Sequence, residues 1–236
     1  MSFFRELGRK AAPWVRKGKW VWTTATGSDD EILEAEHEVG RDLWTAMLTE
    51  MPREGDTERY ERVQGIGKKL HACVADKRRN FAVELVHVEA VNAFALPGGY
   101  VFLTRPLLDR CETDDEVAFV IAHEMGHVIK RHAMERLVTD TTIGAALRAI
   151  PSVRAVGWVQ SAGARLLMSA YSRDRELVAD RYGVALSRAA GFDPVQGARL
   201  LQKLGPEASS LSYFSSHPPP DVRLREIEKY ARQLEG

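Results

Sequence analysis

The 236-residue chain is poor in cysteine, with only Cys73 and Cys111, and nothing in their placement suggests a disulfide framework. The fold must therefore be held by a buried core, which a chain of this length can supply as one large domain or two small ones. Cys73 falls on a helical pattern and Cys111 follows an apolar strand, so both read as buried or idle thiols. Charge of one sign is missing too: Lys and Arg total 33, as do Asp and Glu, which removes the electrostatic case for a nucleic-acid partner. No segment is apolar enough to span a membrane. The longest uncharged run, Ala90 to Thr104, is too short and is broken by "LPGG". There is no internal repeat, no low-complexity segment, and no apolar core with a small-residue cleavage site like that of a secretory signal. A cytoplasmic protein is expected.

What the N-terminus does contain is positive charge. The first 22 residues carry six Lys or Arg against one Glu, with Trp14, Trp20 and Trp22 among them. Residues 1–26 read as a basic arm ahead of a domain over 27–236. Such an arm can sit on an anionic membrane surface, which makes peripheral attachment the alternative location, or it can fold onto the domain or hang loose.

The body alternates helical and strand signals. Ile32, Ala35, Val39, Leu43 and Met47 form one helical stripe and Tyr60, Val63, Ile66, Leu70 and Val74 another, with "PREGD" between them, so a helical hairpin is expected over 31–76. "FAVELVHVEAVNAFALPGGYVFLT" then reads as two or three short strands, the last two in a hairpin turning at residues 97–99. Thr113 and Glu116 in "TDDE" match a capping box and start a helix. The stretch 139–171 is Ala-rich and of undefined ends; lying between two metal-ligand helices, it is a candidate cover for the site. Ser172 opens a helix that Gly191 ends, Asp193 and Pro194 open another that Gly205 ends, and the last begins near Asp221. The class is α+β, predominantly helical, with a small sheet or hairpin beside the helix of "VIAHEMGHVIKRHAM".

That helix holds the chemistry. At about 100° per residue, His123 and His127 lie about 40° apart and one turn removed, so both imidazoles reach one ion. Glu124 stands beside the pair and suits a group that holds a water at the metal. His132 is nine residues from His123, about 180° around a continuous helix, and position 130 is Lys where a glycine would let the chain turn back. It is therefore expected to be solvated or to pack, not to bind. A catalytic zinc needs a third protein ligand. Glu176 and Asp180, four apart in "RELVADRYG", supply a ligand and, one turn on, an acceptor for a ligand histidine's N–H. Taken alone, that pair reads equally as a solvated face with charge pairs such as Arg175 with Glu176, and HExxH alone can arise by chance.

Five motifs in order, "EVGRDL", "VNAFALPGGYVFLTRPLL", "DEVAFVIAHEMGHVIKRHAMERL", "RELVADRYG" and "SSHPPPDVRLREI", resemble the gluzincin zinc metallopeptidases. That family groups the heat-shock protease HtpX, the CaaX prenyl-protein endopeptidases and the mitochondrial inner-membrane overlapping-activity protease. The likeness covers about residues 31–230 and is nearest the soluble-domain type; Pro106, where the family usually has Gly, departs from it in a turn. The resemblance implies a zincin-like fold and one Zn2+ held by His123, His127 and Glu176. It further implies Glu124 as general base and acid, and Asp180 as orienter of a ligand histidine. His217 would face the substrate carbonyl and steady the oxyanion, and Arg223 would brace that segment.

The strand containing Asn92, Ala93, Phe94 and Ala95, if it is an edge above the metal helix, offers backbone groups along which an extended substrate can pair. The expected function is zinc-dependent endopeptidase action on unfolded or flexible polypeptide, in keeping with the family's protein quality-control duties. The alternative is a peptide-binding or chaperone-like module with latent or weak hydrolysis. A purely structural zinc is disfavoured, because three protein ligands leave a position open.

Overall fold

In the computed structural model, residues 26–139, 170–204, 217 and 222–234 are described. Their elements, in chain order, are α1 (Asp29–Glu50), α2 (Thr57–Ala72), β1 (Ala82–Val86), β2 (Ala93–Leu96), a 3-10 turn at Pro97–Gly99, β3 (Tyr100–Thr104), α3 (Arg105–Leu108) and α4 (Asp114–Ile129). There follow α5 (His132–Thr139), α6 (Arg173–Ala189), α7 (Pro194–Ala198), α8 (Leu200–Lys203) and α9 (Arg223–Gln233). This is the helix-rich α+β class read from the sequence. The basic arm, apart from Thr26, the 139–171 stretch, apart from its ends, and Gly205 lie outside the described residues.

The sheet has the order β1-β3-β2, with β2 antiparallel to β3 through the expected hairpin and β1 parallel to β3. Gly98 and Gly99 make the turn at φ 76° and 100°, a region that side-chain-bearing residues enter at a cost. Both faces of the sheet are apolar. Val83, Leu85, Ala93, Ala95, Val101 and Leu103 point into one core with α2 and α4, while Val86, Phe94, Leu96 and Phe102 point into another with Met47 and Met51. Phe94 and Phe102 are register partners and stack with centroids 5.0 Å apart.

This two-faced sheet alters the helical hairpin expected over 31–76. Both helices form, but α1 lies on the β2–β3 turn and the Phe94 face, and α2 on β1 and α4. Each buries its stripe against the sheet instead of chiefly against the other. The outer edge of β1 is taken by the segment before α2, where Arg53 bridges Val86 and His87 N donates to Pro52 O. Pro106 sits in the first turn of α3, where its missing N–H costs nothing.

α4 is the buried axis. Thr113 Oγ1 accepts from Glu116 N as a cap should, but the Glu116 carboxylate reaches past it, to the N–H of Glu112 and the ammonium of Lys203. α6 crosses α4 so closely that a Cβ on Gly126 would stand 2.8 Å from Tyr182 Cβ and 3.1 Å from Ala179 O. Gly197 of α7 approaches Asp115 O in the same manner. These contacts let the His123/His127 face meet the Glu176/Asp180 face with nothing between them.

The Gly126→Ala variant is expected to lose about 1–3 kcal/mol to overpacking, outweighing the gain in helix propensity. Gly65→Ala, exposed in α2 with nothing within 4 Å of the added Cβ, should instead gain about 0.5–1 kcal/mol. Thermal melts of the two variants check the pair; a Gly126→Ala protein melting at or above wild type would refute the close helix crossing.

Candidate metal centre

Seven polar side chains from four parts of the chain meet in a space closed to solvent. α4 contributes His123, Glu124 and His127, α6 contributes Glu176 and Asp180, α9 contributes Arg223, and His217 stands between them; none is more than 2% exposed. His123, His127, Glu176 and His217 each offer one ligand atom, and all four atoms lie within 4.8 Å of one another.

The spacing tests whether a metal fits. His123 Nε2 is 3.1 Å from His127 Nε2, 3.6 Å from Glu176 Oε2 and 3.2 Å from His217 Nδ1. His127 Nε2 is 3.3 Å from Glu176 Oε1, which is 3.0 Å from His217 Nδ1. Ligand bonds of about 2.0–2.2 Å place the corners of a tetrahedron about 3.3–3.6 Å apart. The donor chemistry agrees. His123 Nδ1 donates to Asp180 Oδ1 at 2.9 Å, which leaves a lone pair on its Nε2. His127 Nδ1 is likewise engaged, 2.9 Å from His132 Nδ1, and the two Nε2 atoms face each other. Two imidazole lone pairs and a carboxylate turned toward one point suit a cation. The set fits a divalent metal with N and O ligands.

Electrostatics follow from burial. Desolvation pushes the Glu176 carboxyl up, but the charge of His217 and the hydrogen bonds of His127 and His217 hold it well below the usual range. Asp180 is also pushed up by burial and drawn lower by Arg223, whose Nε and Nη2 donate to both its oxygens at 2.8 and 2.7 Å. Arg223 Nη1 is 3.0 Å from Glu176 Oε2, so one guanidinium serves both acidic residues. Burial opposes a charge on His217, yet Glu176 and Glu124 raise it to about 9, whereas burial takes His127 down to about 3. Without a cation, a proton on His217 offsets part of the carboxylates' charge.

Glu124 is not among the four donors. Its Oε1 is 3.2 Å from His217 Nε2 without hydrogen-bond geometry, and neither of its oxygens has a hydrogen bond among the described residues. Burial, the largest influence, raises its carboxyl, but the surrounding His217, His127 and His123 together outweigh that and lower it.

The structure gives the expected residues these surroundings. His217, read as facing a substrate carbonyl, has Nδ1 among the donors and Nε2 toward Glu124. Arg223, read as a brace for that segment, reaches Asp180 and Glu176, with His123 Nδ1 3.5 Å from its Nη2. Of the two roles expected for His132, it packs: it is 6% exposed, because α4 ends at Ile129 and Arg131 takes φ 59° without being glycine. The continuous helix assumed for it does not exist, although it still stands outside the donor group. Tyr171 and Arg136 carried no signal in the sequence. Tyr171 stacks on the His127 ring at 3.9 Å between centroids, and the Arg136 guanidinium lies 3.3 Å over Tyr171.

Asn92 precedes β2, and Ala93, Phe94 and Ala95 lie within it. Asn92, Ala93, Phe94 and Ala95 are at most 3% exposed, and their side chains belong to the interior. Among the described residues β2 has a strand neighbour on one side only, so what it can offer a substrate is backbone.

Glu176→Ala is expected to abolish stoichiometric metal binding, and Arg223→Leu to cost about 3–5 kcal/mol of stability by leaving Asp180 buried without its partner. Metal analysis after dialysis and denaturant melts check them; a Glu176→Ala protein with full metal content would remove Glu176 from the ligand set.

The profile of peptidase family M48 matches residues 57–231, from α2 to α9. The chain is 32% identical over 188 residues to the beta-barrel assembly-enhancing protease of Yersinia pestis, covering 73% of this chain and 39% of that protein. It is 27% identical over 213 residues to the mitochondrial metalloendopeptidase OMA1 of Schizosaccharomyces pombe, covering 86% of this chain and 63% of that one. With the Escherichia coli beta-barrel assembly-enhancing protease it shares 30% identity over 190 residues, 39% of that protein. The chain thus spans less than two thirds of the length of these relatives. The matched span takes in both metal-site helices and agrees with the likeness carried by the five motifs, and on it the chain belongs to peptidase family M48.

Proposed function

We propose that the chain is a zinc-dependent endopeptidase acting on unfolded or flexible polypeptide, in a protein quality-control role. The observation that carries the reading is the buried donor set of His123, His127 and Glu176 with Glu124 beside it, its carboxylate free of hydrogen bonds among the described residues. A zinc ion held by these donors supplies Lewis acidity, polarising a peptide carbonyl and making water a nucleophile near neutral pH.

The chain's own groups do the rest. Glu124, ionised, takes a proton on its carboxylate as water attacks and returns it to the departing amine. Asp180 keeps the proton of His123 on Nδ1, so that Nε2 remains a donor atom. The donors are at most 1% exposed, so a substrate has to enter as an extended segment and not as a folded surface. The backbone of β2 is the proposed track for it, since main-chain pairing gives affinity without fixing sequence.

A second reading has its own support. His217 Nδ1 stands with the other three donors, and four protein ligands are the count of a closed site. With His217 as a fourth ligand, hydrolysis would be latent until His217 moved aside.

Glu124→Gln is expected to keep full zinc and lose about 100- to 10,000-fold in casein cleavage. Undiminished cleavage would remove Glu124 as the base, and a zinc-loaded wild type that never cleaves would favour a peptide-binding module. On the second reading, His217→Ala retains zinc on the other three ligands and cleaves faster than wild type. A fall in its cleavage rate would return His217 to the oxyanion role read from the sequence.

A further inference from the structure

The two histidines of the metal helix are supported in different ways. Behind His123 stands a carboxylate, that of Asp180; behind His127 stands a second imidazole, with His132 Nδ1 2.9 Å from His127 Nδ1. A histidine that turns its Nε2 lone pair to a cation carries its proton on Nδ1 and has to donate it. His132 must then accept through its own Nδ1 and carry its proton on Nε2.

The chain is built to bring His132 there. α4 stops at Ile129, Arg131 takes φ 59°, and α5 begins at His132, which swings the ring back onto the helix it has just left. A left-handed conformation at a residue with a Cβ needs support from its surroundings. Here the Arg131 guanidinium is tied to α1, with Nε 3.2 Å from Glu36 Oε1 and Nη2 3.3 Å from Asp29 Oδ1. Glu36, itself 1% exposed, is also held by Arg79 Nη1 at 3.2 Å. The flat face of the His127 ring is covered by Tyr171, with 15° between the planes. His127 is thus held at its edge by one ring and over its face by another.

An imidazole suits this place. Glu124, Glu176 and Asp180 already gather around Arg223 and the donor set, and a carboxylate behind His127 would add a fourth buried negative charge. A neutral ring fixes the tautomer without adding one.

We propose that His132 is a positioning residue of the metal centre, accepting the Nδ1–H of His127 and so fixing the tautomer and ring plane with which His127 presents Nε2 to the ion. This rests on the reading of His127 as a metal ligand.

The test compares His132→Leu, which keeps bulk and loses the acceptor, with His132→Asn, which can place an amide oxygen where Nδ1 stands. Zinc affinity is measured by chelator competition on the whole chain, and the visible spectrum is recorded on the cobalt(II)-substituted forms. The leucine variant should bind zinc about 10- to 100-fold more weakly with an altered cobalt spectrum, and the asparagine variant within about threefold of wild type with an unaltered one. Two variants that match wild type, or that weaken alike, overturn the proposal. A wild type that binds no zinc overturns it together with the ligand reading beneath it, whereas a zinc-binding wild type with the wrong variant pattern overturns it alone. Long-range proton–nitrogen spectra of the zinc-loaded wild type need no variant: the His132 proton is expected on Nε2, and a proton on its Nδ1 refutes the assignment.

Discussion

Arg223 donates from Nε and Nη2 to Asp180 and reaches Glu176 with Nη1, and none of these side chains is more than 2% exposed. Removing such charges from water costs several kcal/mol each unless they are paired and hydrogen-bonded. With Glu124 also buried, the centre holds three carboxylates against one guanidinium, and the two negative charges that remain are halved by a proton on His217 or matched by a divalent metal. The close crossing of α4 and α6 and the arrival of α9 behind them are the geometry this charge balance requires.

The sheet serves the same end from the other side. Its small residues, Ala93 and Ala95, face the core containing α4, and its large ones, Phe94 and Phe102, face α1. The metal helix can therefore lie close to the hairpin while α1 takes up the aromatic bulk. α1 also acts at a distance from its own core, since Glu36 and Asp29 hold the Arg131 turn from which His132 returns to the centre.

Much of the site was legible because it rests on local spacing. His123 and His127 share a face of α4 by helical period alone, and Glu176 and Asp180 do the same on α6, so each pair could be placed before any tertiary contact was known. The Thr113 cap and the hairpin at residues 97–99 were equally local. What escaped depended on partners distant in sequence. The place of His132 behind His127 was not legible because phase arguments assume an unbroken helix, and the break falls at an arginine stabilised from α1 instead of at a glycine. Glu116 fits a capping box locally, yet Lys203, 87 residues away, helps draw it past the cap. The stacking of Arg136 on Tyr171 and of Tyr171 on His127 leaves no mark on spacing. The separation of α1 from α2 required knowing that both faces of the sheet are apolar, and a strand with apolar residues on both faces does not say which helix covers which.

The parity of β2 also limits how the chain can change its length. Four residues alternate Ala, Phe, Ala, Leu between two cores of different depth, in fixed register with β3. Inserting or deleting one residue within the strand would turn phenylalanine toward the metal helix and alanine toward α1, overfilling one core and hollowing the other in a single step. Change in length is therefore diverted to the connections, and the segment from His87 to Asn92, outside any helix or strand, is where additional residues would be absorbed with the catalytic geometry undisturbed.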